Sequence, residues 1–206
     1  MGSQDMRCYS GRERRMGRTI LVLLVGGFLT LSSNAMAEPE LRMDYEYYEI
    51  YGETAEALRQ AMKVQGIVWK DGNTYDAFTS WNVSWAFERR FGREGCTIES
   101  VRTVVKVTQR FPKWKDISYA LPDLQDKWNA YIKALKEHED GHKDIAVQAA
   151  REIESSLPNL GASPSCEDLT IRANGLAMEI LEKYKNLEEA YDEATRFGET
   201  QGAVFP

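Results

Sequence analysis

Between Leu124 and Leu157, apolar side chains recur every three or four residues: Leu124, Trp128, Tyr131, Ile132, Leu135, then Ile145, Ala146, Ala149, Ile153 and Leu157. That is the period of one helix face. Pro122-Asp123 supplies a start signal, so the spacing predicts a helix from Pro122 to about Ser156. No other stretch constrains the fold as much, because so long an apolar stripe must be covered by the rest of the chain. Between Leu135 and Ile145 the stripe is carried by His138 and His142, and both imidazoles therefore face inward.

The remaining elements are shorter. Residues 38–44 read as a short leader, and Tyr45 to Tyr51 as a tyrosine-rich strand. Thr54 is a candidate N-cap for a helix running to about Val64, with Ala57, Leu58 and Met62 on one face and Gly66 as its stop. Asp71-Gly72-Asn73 is a turn signal. Trp81, Val83, Trp85 and Phe87 then alternate with smaller residues, and Val101, Thr103, Val105 and Val107 repeat the alternation after a Gly92–Gly95 connection. The pair reads as a long antiparallel hairpin, with Trp81 and Trp85 on a core face rather than forming a ligand platform. Pro112 is expected to close the sheet region. Residues 158–164 read as a loop, and Ser165 caps a last helix with the stripe Leu169, Ala173, Leu176, Ile180, Tyr184, Leu187 and Tyr191. The expected fold is α+β: an antiparallel sheet with a short helix, then two long helices, the first carrying the histidines.

Arg12, Arg14, Arg15 and Arg18 precede an apolar run from Ile20 to Leu31, and Ala35-Met36-Ala37 stands before Glu38. This is the layout of a signal peptide over residues 1–37; translation from Met16 would leave residues 1–15 outside it. The run falls short of the roughly 20 residues of a membrane span, and the two glycines with the A-x-A site favour cleavage over an anchor. The expectation is a periplasmic or secreted protein formed by one domain over 38–206, with no stable membrane insertion after cleavage. Residues 1–37 hold five of the 26 basic and two of the 32 acidic residues, so the remainder carries 21 and 30, a net −9. That balance disfavours nucleic acid and anionic membrane as partners, since both call for basic patches. Cys8 lies in the removed segment, leaving Cys96 and Cys166, for which one disulfide is the simplest outcome in an oxidising compartment.

Both histidines belong to His138-Glu139-Asp140-Gly141-His142. Residues four apart on a helix differ by about 40° in azimuth, so two imidazoles there can meet one ion. Buried imidazoles lacking partners would cost roughly 1–3 kcal/mol each, and a metal removes that cost for both. Glu139, about 100° further round, is the candidate catalytic general base for a metal-activated water. This is the logic of a zinc protease helix. Gly141 costs about 1 kcal/mol inside a helix, which a close approach by another segment would offset. A catalytic zinc needs a third protein ligand. Asp144 points to another face, whereas Glu188, Glu189, Asp192 and Glu193 on the last helix can be brought across.

The mature chain resembles a family of predicted bacterial secreted zinc-dependent proteases, long described as a domain of unknown function. The resemblance is carried by Tyr51-Gly52-x-Thr54, Trp81-x-Val83-x-Trp85, Cys96, Pro112-x-Trp114, Trp128, the HExxH motif, Cys166 and Tyr191-Asp192-x-x-Thr195. It implies an exported hydrolase of peptide or protein substrates, with Zn2+ on the HExxH helix. Family members tend to read YD-x-x-T-x-HG, and here Phe197 stands at the histidine position. If that histidine is the third ligand, the chain is a catalytically inactive metal-binding or protein-binding module. If Asp192 is, the set His138, His142 and Asp192 is complete, with Glu188 and Glu193 as second choices. Tyr191 is either a packing residue or a stabiliser of the transition state.

Overall fold

Alternating inward side chains build a three-stranded sheet in the computed structural model, which describes residues 38–69 and 72–205. The expected signal segment 1–37 and Asp71 of the expected turn lie outside the described residues. Strands β1 (Glu40–Ile50), β4 (Phe78–Gly92) and β5 (Gly95–Trp114) are ordered β1-β5-β4, while β2 (Ile67–Val68) and β3 (Thr74–Tyr75) form a separate antiparallel pair. Three helices accompany them: α1 (Ala55–Gln65), α2 (Pro122–Ser156) and α3 (Cys166–Thr195). The α+β architecture, the hairpin and both long helices follow the sequence expectation. Among the described residues, no helix is long and apolar enough to cross a membrane.

Three expectations need correction. Residues 40–44 are not a leader but the first half of β1; their mixed polar composition suits an exposed edge strand, which need not alternate cleanly. The sheet is not wholly antiparallel, because β1 joins the far edge of β5 in parallel, Glu40 opposite Val104 through Ile50 opposite Trp114. Pro112 does not close the sheet; β5 continues to Trp114. Its position is tolerable because β4 pairing ends at Phe78 opposite Arg110, so residue 112 has a free flank where a missing N–H costs nothing.

Period-two alternation sends Thr79, Trp81, Val83 and Trp85 of β4, and the odd-numbered residues 101–111 of β5, towards the helices. Trp81 pairs with Val107, Val83 with Val105 and Trp85 with Thr103. Ala146, Ala149, Ala150, Ile153 and Leu157 of α2 fill the space between this face and Ala173, Ala177, Ile180 and Leu181 of α3. Alanines there let the backbones approach closely. A second cluster lies at the other end of α2, where Trp128, Tyr131 and Leu135 meet Tyr48, Ile50, Leu58, Met62, Trp114 and Phe205. Thr54 caps α1 by accepting from the Ala57 N–H, and Ser165 caps α3 by accepting from the Asp168 N–H. Ala57 and Leu187, both expected on apolar faces, are exposed instead.

Cys96 at the start of β5 and Cys166 at the start of α3 form a disulfide across 70 residues, with their Cα atoms 5.1 Å apart. A two-way backbone bridge between Cys96 and Ser163 holds the same junction. Closing a loop of that length removes denatured-state entropy worth about 4 kcal/mol in the chain-entropy account. It ties the sheet to α3, and α3 carries the far half of the site.

Candidate metal centre

Residues 138–142 of α2 fall between the two apolar clusters, after Leu135 and before Ala146. The gap is filled by a polar layer of His138, Glu139 and His142, all buried, met from the sheet by buried Thr79 and Gln109. Buried polar groups persist only when each finds a partner, and the partners come from four parts of the chain.

His142 Nε2 lies 3.1 Å from Asp192 Oδ1, and His138 Nε2 lies 3.3 Å from the same oxygen. Donor atoms of the three residues all fall within 4.8 Å of one another, a group that can hold a metal ion. Two ligands at 2.0–2.1 Å in a tetrahedral shell sit about 3.3 Å apart, so these separations match coordination. The outer ring nitrogens are held as well. Glu188 Oε1 lies 3.3 Å from His142 Nδ1 and also accepts from the Trp81 indole N–H. Gln201 Oε1 lies 3.0 Å from His138 Nδ1. An acceptor on Nδ1 places the ring proton there and leaves the Nε2 lone pair for a metal.

Two Nε2 lone pairs aimed at one carboxylate oxygen repel unless a cation lies between them, a place that a proton on His142 fills when no metal is bound. Burial pulls the His142 imidazole down, but its bonds to Asp192 and Glu188 outweigh burial and push it up to about 10. Burial raises the Asp192 carboxyl, yet the two imidazoles hold it down at about 2. The raised His142 stabilises the metal-free fold below the ordinary imidazole pKa, and this is lost as pH rises towards about 10. A divalent cation must displace that proton, so affinity should fall by about tenfold for each pH unit below 10. At neutral pH, close to one proton should be released per ion bound, readable by calorimetry in buffers of different ionisation enthalpy. No proton release would remove the imidazolium from the metal-free site.

Glu139 is not part of the metal-holding group. Thr79 donates its hydroxyl to Glu139 Oε2 at 2.6 Å. Burial pushes the Glu139 carboxyl up, and Thr79 with the neighbouring imidazoles pulls it only part of the way back. Gln109, beside Thr79 in the sheet register, offers its amide to Asp140 Oδ1 at 3.4 Å. Its Oε1 has no hydrogen-bond partner among the described residues.

Tyr191 roofs the pair of imidazoles, stacked on His138 at 5.1 Å and 11°, and edge-on to His142 at 5.1 Å and 89°. A Cβ on residue 141 would collide with the hydroxyl end of the Tyr191 phenol, so the expected close approach at Gly141 is this side chain. The Tyr191 hydroxyl donates to the His138 carbonyl at 3.1 Å and accepts from the Gln201 amide at 3.1 Å, with Gln201 Oε1 3.3 Å away.

Of the second-choice ligands, Glu188 sits on the outer nitrogen of His142 rather than in the group, and Glu193 is exposed and outside it. Asp144 is exposed and paired with Lys143. Phe197 points away as well: its ring is 52% exposed and lies 5.6 Å from Tyr75. Asp192, five residues earlier and still on α3, is the residue that meets the imidazoles.

Sequence reasoning missed Thr79, Glu188's bridging role and Gln201. Thr79 had a readable signal, being a polar residue on the inward parity of β4. Gln201 had none.

An α+β chain whose long helix presents two histidines and a buried glutamate to an aspartate from a second helix is, by fold and site, a candidate metalloprotein. It belongs to the family described as a bacterial protein of unknown function (DUF922), whose profile matches residues 45–198. No curated protein and no solved structure matches the chain.

Proposed function

We propose that this chain is an exported zinc-dependent peptidase. The observation that carries the reading is the convergence of His138 Nε2, His142 Nε2 and Asp192 Oδ1 beside the buried carboxylate of Glu139. Two imidazoles and one carboxylate form a common donor set for catalytic zinc, and the outer nitrogens are already oriented for it. Zinc held there would supply a Lewis acid and would lower the pKa of a water towards 7.

The chain's own residues do the rest. Glu139 takes the proton from water at its carboxylate and passes it to the nitrogen of the departing amine. Thr79 fixes Oε2, leaving the other oxygen as the working one. Burial raises the carboxyl, which brings its proton affinity closer to that of the groups it serves. Tyr191 and Gly141 set the spacing of α2 and α3 over the site.

Export rests on the signal-like segment 1–37, and the Cys96–Cys166 disulfide supports a periplasmic or secreted location, where such bonds persist. The acidic remainder favours peptide or protein over nucleic acid as substrate.

The test is elemental analysis of the purified protein together with a fluorogenic-peptide assay. The expected result is about one zinc per chain, with cleavage that stops on chelation and returns on adding zinc. Protein that neither contains nor takes up a divalent metal would end this reading. Bound zinc with no cleavage of any peptide in a diverse library would instead favour the non-catalytic metal-binding module, to which Phe197 at the family's histidine position points.

A further inference from the structure

From the structure we infer that residues 196–205 form a strap whose task is to position His138, with Gln201 as the positioning residue. The inference rests on the metal reading of His138, His142 and Asp192 but concerns residues outside that group.

The strap begins with three consecutive left-handed residues: Arg196 (φ 49°), Phe197 (φ 54°) and Gly198 (φ 86°). Such a conformation is uncommon for non-glycine residues and is kept only where the surroundings enforce it. Its effect is to turn the chain back over α2. At Gly198 the strap lies so close that a Cβ would meet His138 Cγ at 3.1 Å and Cβ at 3.2 Å.

Beyond that turn the chain is fastened at its other end. Phe205 is buried against Trp128 and Tyr131, with ring centroids 5.3 and 5.1 Å away. Arg59 donates to the Phe205 carbonyl at 3.0 Å, and Asp76 ties Arg59 to the Tyr131 hydroxyl. The segment is therefore pinned to the second apolar cluster on one side and to the end of α3 on the other.

Between the pins, Gln201 completes a closed set of hydrogen bonds. The Tyr191 hydroxyl lies 3.1 Å from the His138 carbonyl and 3.3 Å from Gln201 Oε1; its single proton goes to the nearer carbonyl, and the oxygen accepts from Gln201 Nε2 at 3.1 Å. This turns Gln201 Oε1 towards His138 Nδ1 at 3.0 Å, and an amide oxygen only accepts. The Nδ1 atom then carries the ring proton, which the Thr195 hydroxyl also faces at 3.5 Å while donating its own proton to the Tyr191 carbonyl, and Nε2 is left to face Asp192. Outer partners of this kind typically change metal affinity by about 10- to 100-fold when removed.

The test measures zinc affinity by chelator competition in wild type, Gln201→Leu and Gln201→Glu, with metal-free thermal melts alongside. Gln201→Leu takes the nearest acceptor from the buried His138 Nδ1, so the metal-free melt should fall by no more than a few degrees while zinc weakens by about tenfold or more. Gln201→Glu keeps an acceptor at Nδ1 and should restore affinity. In a His138→Ala background, Gln201→Leu should have no further effect on the residual affinity. Unchanged zinc affinity in Gln201→Leu overturns the inference while leaving the metal site standing. Equal weakening in the His138→Ala background also overturns it, because the effect would not run through His138. A wild-type chain that takes up no zinc fails the metal reading itself, a distinct result.

Discussion

Replacing Glu139 with Gln should lower peptide hydrolysis by about two to four orders of magnitude while zinc stays near one per chain. That range is what a positioned acid–base group supplies, equivalent to about 3–5 kcal/mol of barrier. The substitution keeps the shape of the side chain and an oxygen able to accept from Thr79; what it removes is the ability to take a proton. It also replaces a buried carboxyl whose ionised form is disfavoured by burial, so the fold should tolerate it. The kcat/KM for a fluorogenic peptide, with elemental analysis of the same sample, reads both halves of the expectation. Undiminished turnover removes Glu139 from the mechanism. Loss of zinc together with activity would make Glu139 a ligand, contrary to its place outside the His138–His142–Asp192 group.

Gly141→Ala is expected to damage the site from a distance, through Tyr191. On helix propensity alone the change should stabilise α2 by about 1 kcal/mol. Against that, the new Cβ would overlap the Tyr191 ring, and overpacking of this sort costs about 1–3 kcal/mol. The ring cannot simply slide along, because it is stacked on His138 and its hydroxyl is bonded to the His138 carbonyl. Either α3 moves away, carrying Asp192 from the imidazoles, or Tyr191 swings out and uncovers His138. Both outcomes weaken metal binding. We expect a melting temperature lower by a few degrees, given about 2–4 °C per kcal/mol for a chain of this size, and a marked fall in zinc affinity. A more stable protein with unchanged affinity would mean that Tyr191 does not occupy the space above residue 141.

Much of this was legible because it is local. The period of α2, its span from Pro122 to Ser156, the caps at Thr54 and Ser165 and the alternation of the hairpin are set by residues within a few positions of each other. Errors gathered where local pattern is weakest. The exposed edge strand β1 buries little over residues 40–46, so its first residues carried no alternation to read, and its parallel pairing with β5 depends on a partner more than 60 positions away.

The candidate site divides along the same line. A helical backbone alone puts His138 and His142 one turn apart on a common face, and the apolar stripe alone turns that face inward. The acid from α3 was narrowed to a few neighbours, but choosing Asp192 over Glu193 and giving Glu188 the outer nitrogen required the packing of α3 on α2. Thr79 lies 60 positions from Glu139, and Gln201 63 from His138. Separations of that size are closed by the burial of shared apolar surface, and the disulfide across 70 residues helps hold them closed. The sequence by itself thus determined which two imidazoles face one ion. Only the tertiary structure decided what completes, orients and covers them, because those contacts are by-products of how the sheet, α3 and the strap pack on α2.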